Sequence, residues 1–188
     1  MTRSALRIVL SLLCVGIAIC AAAQTPGAPL RLSLECQQKP ELAFRYTIHN
    51  VSNHPAAAVI GIVLANDKKY LPGPLHLTVR RAGMPDVDLT YVDPTGAIAG
   101  RLDPWLVTLP ASASYSAVVP ARYFLALAEN VNETFSAPAT LQLRLTTQKV
   151  ADLNPDMIGL QLIRVWIGTL VSDRLQFPRQ CRPAPGRG

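Results

Sequence analysis

The stretch FRYTIHNVSNHPAAAVI, residues 44–60, decides how this chain folds. Phe44, Tyr46 and Ile48 alternate with Arg45, Thr47 and His49. That period of two belongs to a strand with one buried and one wet face. Asn50-Val51-Ser52-Asn53-His54-Pro55 follows. Asn and Ser bond nearby backbone and Pro ends a ladder, so this segment is predicted to turn. Residues 56–64, AAAVIGIVL, are apolar without alternation and suit a strand covered on both faces, or one facing a short helix. A strand, a turn and a second strand account for the whole stretch. They leave His49 on a wet face and His54 in the turn.

The same period recurs on either side. Leu30, Leu32, Leu34 and Cys36 alternate with Arg31, Ser33 and Glu35, and Leu75, Leu77 and Val79 with His76, Thr78 and Arg80. Val87, Leu89 and Tyr91 alternate with Asp86, Asp88 and Thr90, and Leu141, Leu143 and Leu145 with Gln142, Arg144 and Thr146. Turn residues separate the runs at 65–69, 71–74, 83–85 and 93–96. The chain of 188 residues holds 16 prolines, none before residue 26, which excludes long helices. Only ARYFLALAEN, 121–130, is predicted to be helical, and briefly. Residues 160–177 are predicted to form a closing pair of strands with Ser172-Asp173 at their turn. The expectation is an all-β chain, an antiparallel β-sandwich of about 8–10 short strands with one short helix. No internal repeat or low-complexity segment interrupts it.

The N-terminus has the pattern of a secretory signal. Arg3 and Arg7 precede an apolar run at 8–20, and Ala21-Ala22-Ala23 supplies the small residues of a cleavage site. The run is too short for a bilayer span, and no later segment is long and apolar enough to cross one. Cys14 and Cys20 follow Leu13 and Ile19, whereas a lipoprotein signal places a small residue just before its cysteine. The predicted organisation is a signal peptide at 1–23, one domain at 24–178 and a tail at 179–188, in a periplasmic or secreted protein.

Cleavage would leave Cys36 and Cys181, one near each end. In an exported chain these are most simply a disulfide, worth roughly 5 kcal/mol over so long a loop in the chain-entropy model. The bridge predicts that the first strand and the tail are neighbours. Two thiols outside a CxxC are neither a redox motif nor a metal set. The formal charge is +6, and without Arg3 and Arg7 the basic count falls from 18 to 16 against 12 acids. Basic residues are scattered, adjacent only at Lys68-Lys69 and Arg80-Arg81, and aromatics are few. Nucleic-acid binding, which needs a basic stripe or a motif, is not indicated.

Three segments, YTIHNVSNHP (46–55), WLVTLPASASYSAVVP (105–120) and VWIGTLVSDRLQF (165–177), together resemble secreted bacterial immunoglobulin-like β-sandwich domains. The resemblance spans most of the chain beyond residue 23 and implies an immunoglobulin-like topology. The chain departs from antibody domains in carrying its cysteines at the termini, with no Cys…Trp…Cys spacing through the middle. Similar sandwiches serve as accessory modules of secreted enzymes, protease inhibitors, chaperones of exported subunits and adhesion modules. The fold does not choose among them.

His49, His54 and His76 are the candidate metal ligands, but no HExxH or equivalent spacing joins them, and surface histidines are the simpler reading. Asp86, Asp88 and Asp93 could hold calcium, yet the fixed acidic loop of an EF-hand is absent. No GxSxG elbow marks a nucleophile. No catalytic residue, metal or cofactor is therefore assigned. Asn50-Val51-Ser52 and Asn132-Glu133-Thr134 match the glycosylation triplet, which requires exposure. Binding surfaces are sought at the loops 68–74 and 94–105, in Lys68, Lys69, Tyr70 and Trp105, while Trp166 is assigned to core packing. The expected role is non-catalytic, binding a protein or envelope partner. Inhibition of a secreted protease through the loop 68–74 and an envelope hydrolase are the alternatives.

Overall fold

The computed structural model describes residues 27–38, 40–64, 69–70, 75–94, 102–125, 134–147 and 165–181. The chain is all-β, and its strand ladders are antiparallel. The strands are β1 (Leu30–Gln37), β2 (Ala43–Asn50), β3 (Ala56–Leu64), β4 (Lys69–Tyr70), β5 (Leu75–Arg80) and β6 (Val87–Tyr91). They continue as β7 (Leu102–Leu109), β8 (Ser114–Pro120), β9 (Phe124–Leu125), β10 (Ala139–Thr146), β11 (Thr169–Val171) and β12 (Leu175–Phe177). Among the described residues this exceeds the expected number because β4 and β9 have only two residues each, too few for a readable period.

Among the described residues three sheets form, ordered β1-β2-β8, β4-β3-β7 and β11-β10-β5-β6-β9, with β12 also paired to β10. Alternation sets their faces. In β1, Leu30, Leu32, Leu34 and Cys36 are buried, and in β10 Ala139, Leu141, Leu143 and Leu145 are. Phe44, Tyr46 and Ile48 of β2 join Leu75, Leu77 and Val79 of β5 and Ala56, Ala58 and Ile60 of β3 in one continuous core. β3 is buried on both faces as far as Ile62, as its unbroken apolar run predicts. A register shift between Val59 and Gly61 against β7 makes Ile60 a bulge.

Two expectations are corrected. The helix at 121–130 is a single 3-10 turn at Ala121–Tyr123 leading into β9, with 126–130 outside the described residues. Phe124 is fully buried, edge-on to Phe44 and Tyr91, and Val92 N–H donates to Tyr123 O at 2.7 Å. Aromatic residues beside an open strand edge gain more from that pairing than from a helical turn. The closing pair of strands is present as β11 and β12, but they pair with β10 rather than with each other, β11 with Arg144–Thr146 and β12 with Ala139–Leu141, while 160–164 lie outside the described residues. Ser172 lies between β11 and β12, fully buried; its N–H donates to Leu143 O at 2.8 Å and its hydroxyl accepts from Leu143 N–H at 2.9 Å. There β1 meets this segment, through a parallel bridge from Leu32 to Ser172.

Cys36 and Cys181 form a disulfide across 145 positions, their Cα atoms 4.7 Å apart. The first strand and the chain after β12 are neighbours, as the cysteine spacing predicts.

Candidate functional site

Two of the sequence-designated binding residues meet on the β4-β3-β7 sheet. Val63 pairs with both Lys69 and Asp103, and Gly61 pairs with Trp105, so the three flanking positions share one face. Opposite a glycine the indole has room. The Lys69 ammonium stands 5.1 Å from the ring centroid, within cation–π range. From the neighbouring sheet Tyr115 meets Trp105 edge-on, centroids 6.1 Å apart and planes at 88°. Trp105 and Tyr115 are half-buried against the core margin, and Lys69 is exposed. Burial pushes the Tyr115 phenol above its usual range, so it remains a neutral hydroxyl at physiological pH. The cluster is a fixed aromatic platform with a cation above it, able to receive an apolar side chain beside an acidic group.

Lys69 and Tyr70 belong to a short strand rather than a loop, because their backbones pair with Val63 and Ile62. Lys68 and residues 71–74 lie outside the described residues, as do 95–101 of the second candidate loop. Trp105 sits inside β7, not at a loop end. Tyr115 is the member that sequence reasoning missed. Its position on the buried side of the Ser-Tyr-Ser alternation was the available signal. Trp166 packs partly buried against the core, its ring over Gly168.

The histidines do not converge. His49 lies in β2 between β1 and β8, His76 in β5 between β10 and β6, and His54 in the turn after β2. His49 is held on both ring nitrogens, 2.9 Å from Ser33 Oγ and 2.8 Å from Ser114 Oγ. Beside it Thr47 and Ser116 share a hydrogen bond of 2.8 Å, so this outer face is a ladder of polar cross-strand pairs. Asp86 is paired with Arg80 at 2.8 Å; Asp88 takes the Thr78 hydroxyl at 2.6 Å and Arg144 at 2.9 Å. Among the described residues, no three His, Cys, Asp or Glu come together as a metal set. Among them also, no helix is long and apolar enough to cross a membrane.

Asn50 closes the first corner. Its side chain is 2% exposed, and its amide shares two hydrogens among the carbonyls of His54 (2.8 Å), Leu109 (3.0 Å) and Pro110 (2.9 Å). Its Oδ1 accepts from the Ser52 N–H at 3.0 Å and the Ser52 hydroxyl at 2.8 Å. A glycosylation triplet whose acceptor amide is buried and engaged in this way is unavailable in the folded protein; Asn132 of the other triplet lies outside the described residues. Within the core, the fully buried Tyr46 hydroxyl has no hydrogen-bond partner among the described residues. No family model matches the chain, and a search of the curated proteins finds no match.

Proposed function

We propose that this is an exported, non-catalytic protein with an immunoglobulin-like β-sandwich fold that binds a protein partner of the cell envelope. The observation that carries the reading is the Lys69–Trp105–Tyr115 cluster. Trp and Tyr are enriched where binding energy concentrates, and a ring already held in place costs little entropy on binding. The antiparallel sheets around one core support the sandwich, and the Cys36–Cys181 bridge supports an oxidising compartment. Polar groups on the outer faces are mutually paired, which supports a binding rather than a catalytic role.

The test is affinity capture and crosslinking from the envelope fraction with the mature protein beside Trp105→Ala and Lys69→Ala. A partner held at least tenfold more weakly by Trp105→Ala, a loss of about 1.4 kcal/mol or more, is the expected result. A partner retained equally by wild type and both variants refutes this surface.

A further inference from the structure

Edge strands expose unpaired N–H and C=O groups, and native chains blunt them with charge, proline, bulges or brevity. Most edges among the described residues follow that rule. β4 and β9 have two residues each. β7 carries Asp103 and Pro104, while β1 carries Arg31 and Glu35 and meets Ser172 through Leu32. The remaining edge, β11 with β12, is broken at Ser172 and flanked by Asp173 and Arg174. β8 differs: its seven residues, SYSAVVP, have no charge, and its pairing with β2 runs from Pro120 to Ser114 without a register shift.

The ladder shows which groups it leaves free. Asn50 N–H donates to Ala113 O at 2.9 Å, and Ala121 N–H to Leu42 O at 2.9 Å. Residues of that parity, Tyr115, Ala117 and Val119, therefore bond to β2, while Ser114, Ser116 and Val118 direct their N–H and C=O away. Pro120 shares the outward parity and has no N–H to leave unsatisfied, so the free edge ends there.

We propose that β8 pairs antiparallel with β8 of a second copy of this chain across a two-fold axis, with Ser116 opposite Ser116. This register sets Ser114 against Val118 and makes about six hydrogen bonds, joining the two β1-β2-β8 sheets into one. Two-fold pairing puts a strand against itself, so a charge near its centre would meet its like; β8 carries none. On the inner face each Tyr115, half-exposed in the single chain, lies beside the small Ala117 of the other copy. On the outer face Val118, 48% exposed, gains cover. An acidic or basic foreign segment would find no counter-charge on this strand. The pairing rests on the β8 backbone rather than on the indole, and it shares only Tyr115 with the cluster above.

The test is sedimentation velocity of the mature protein from about 1 to about 200 μM. Hydrogen exchange of the peptide spanning β8 is measured across the same range. The expected result is a monomer–dimer equilibrium, with β8 exchange slowing as the dimer forms. Ser116→Lys and Val118→Lys, both at exposed positions, should each weaken the dimer at least tenfold with the far-ultraviolet spectrum unchanged. Met84→Lys, on an exposed turn, should leave it intact. A wild-type protein that stays monomeric throughout overturns the proposal, whatever the variants do. So does a dimer that survives both folded β8 variants, or β8 protection that appears only with a foreign protein.

Discussion

Replacing Asn50 by alanine should cost about 2–3 kcal/mol, and the hydrogen bonds show where the loss falls. The side chain links the β2–β3 turn to the β7–β8 turn through three carbonyls and two donors of Ser52. Two of those carbonyls keep a second donor: His54 O retains the Ser52 hydroxyl at 2.9 Å, and Pro110 O retains Ala113 N–H at 3.1 Å. The third, Leu109 O, keeps its place opposite Ala56 in the β3–β7 ladder, so the loss falls on the amide's own bonds, at about 1–2 kcal/mol together, with about 1 kcal/mol more for the lost turn bonds. For a chain of this size the melting temperature should drop by about 5–10 °C. Asn50→Asp keeps the acceptor but turns a carboxylate toward three carbonyls, so at neutral pH it should cost more than alanine. Urea unfolding monitored by tryptophan fluorescence, with the disulfide intact in every variant, gives the comparison. An Asn50→Ala protein within about 0.5 kcal/mol of wild type, or an aspartate milder than alanine, refutes the reasoning.

The Cys36–Cys181 bridge should stabilise by up to about 5 kcal/mol, so the double serine variant should unfold at much lower urea; an unchanged midpoint, or two alkylatable thiols before reduction, counts against it. At Gly168 an added Cβ would lie 2.8 Å from Trp166 Cζ2, so Gly168→Ala should cost about 1–3 kcal/mol and perturb tryptophan near-ultraviolet dichroism, whereas an unchanged spectrum would mean the ring is not seated there. Burial, followed by the fields of Tyr115 and Tyr91, pushes the Tyr46 phenol well above its usual range. The unfolded chain then releases its proton near pH 10 while the folded chain keeps it, so this contribution is complete below about pH 10 and is lost as pH rises, by about 1.4 kcal/mol per unit. Tyr46→Phe should remove that alkaline slope and, because the hydroxyl is unpartnered, leave stability at pH 7 unchanged or raised by about 1 kcal/mol; a clear loss at pH 7 would show a bonded hydroxyl.

The two-residue period carried most of the fold. It placed β1, β2, β5, β6 and β10 with their buried faces correct, because in each an apolar side chain stands at every second position over five or more residues. It failed where tertiary pairing overrules local pattern. ARYFL reads as helix by side-chain preference, but Phe124 fits a space between Phe44 and Tyr91 that only the folded sheets create. At Ser172 a short polar residue looks like a turn, yet it is buried because its hydroxyl replaces the backbone partner that Leu143 would otherwise lack. Burial of Asn50 was equally hidden: its turn role follows from the dipeptide chemistry, its three carbonyl partners only from the meeting of two corners.

Lys69 and Trp105 were legible one by one, whereas Tyr115 and the meeting of the first two were not, and for that meeting the reason is the bulge at Ile60. Without it, the alternation of β3 would run on and set a branched side chain opposite Trp105, forcing the indole outward. With one extra residue inserted, Gly61 faces Trp105 and Val63 still aligns Lys69 with the same face. The glycine in AAAVIGIVL is the only local trace of this event, since glycine inside a strand marks a bulge or a close approach without saying which. Here it does both. The half-buried state of Trp105, neither core nor loop ornament, thus follows from a single register step, and so does the distance at which Lys69 stands over it.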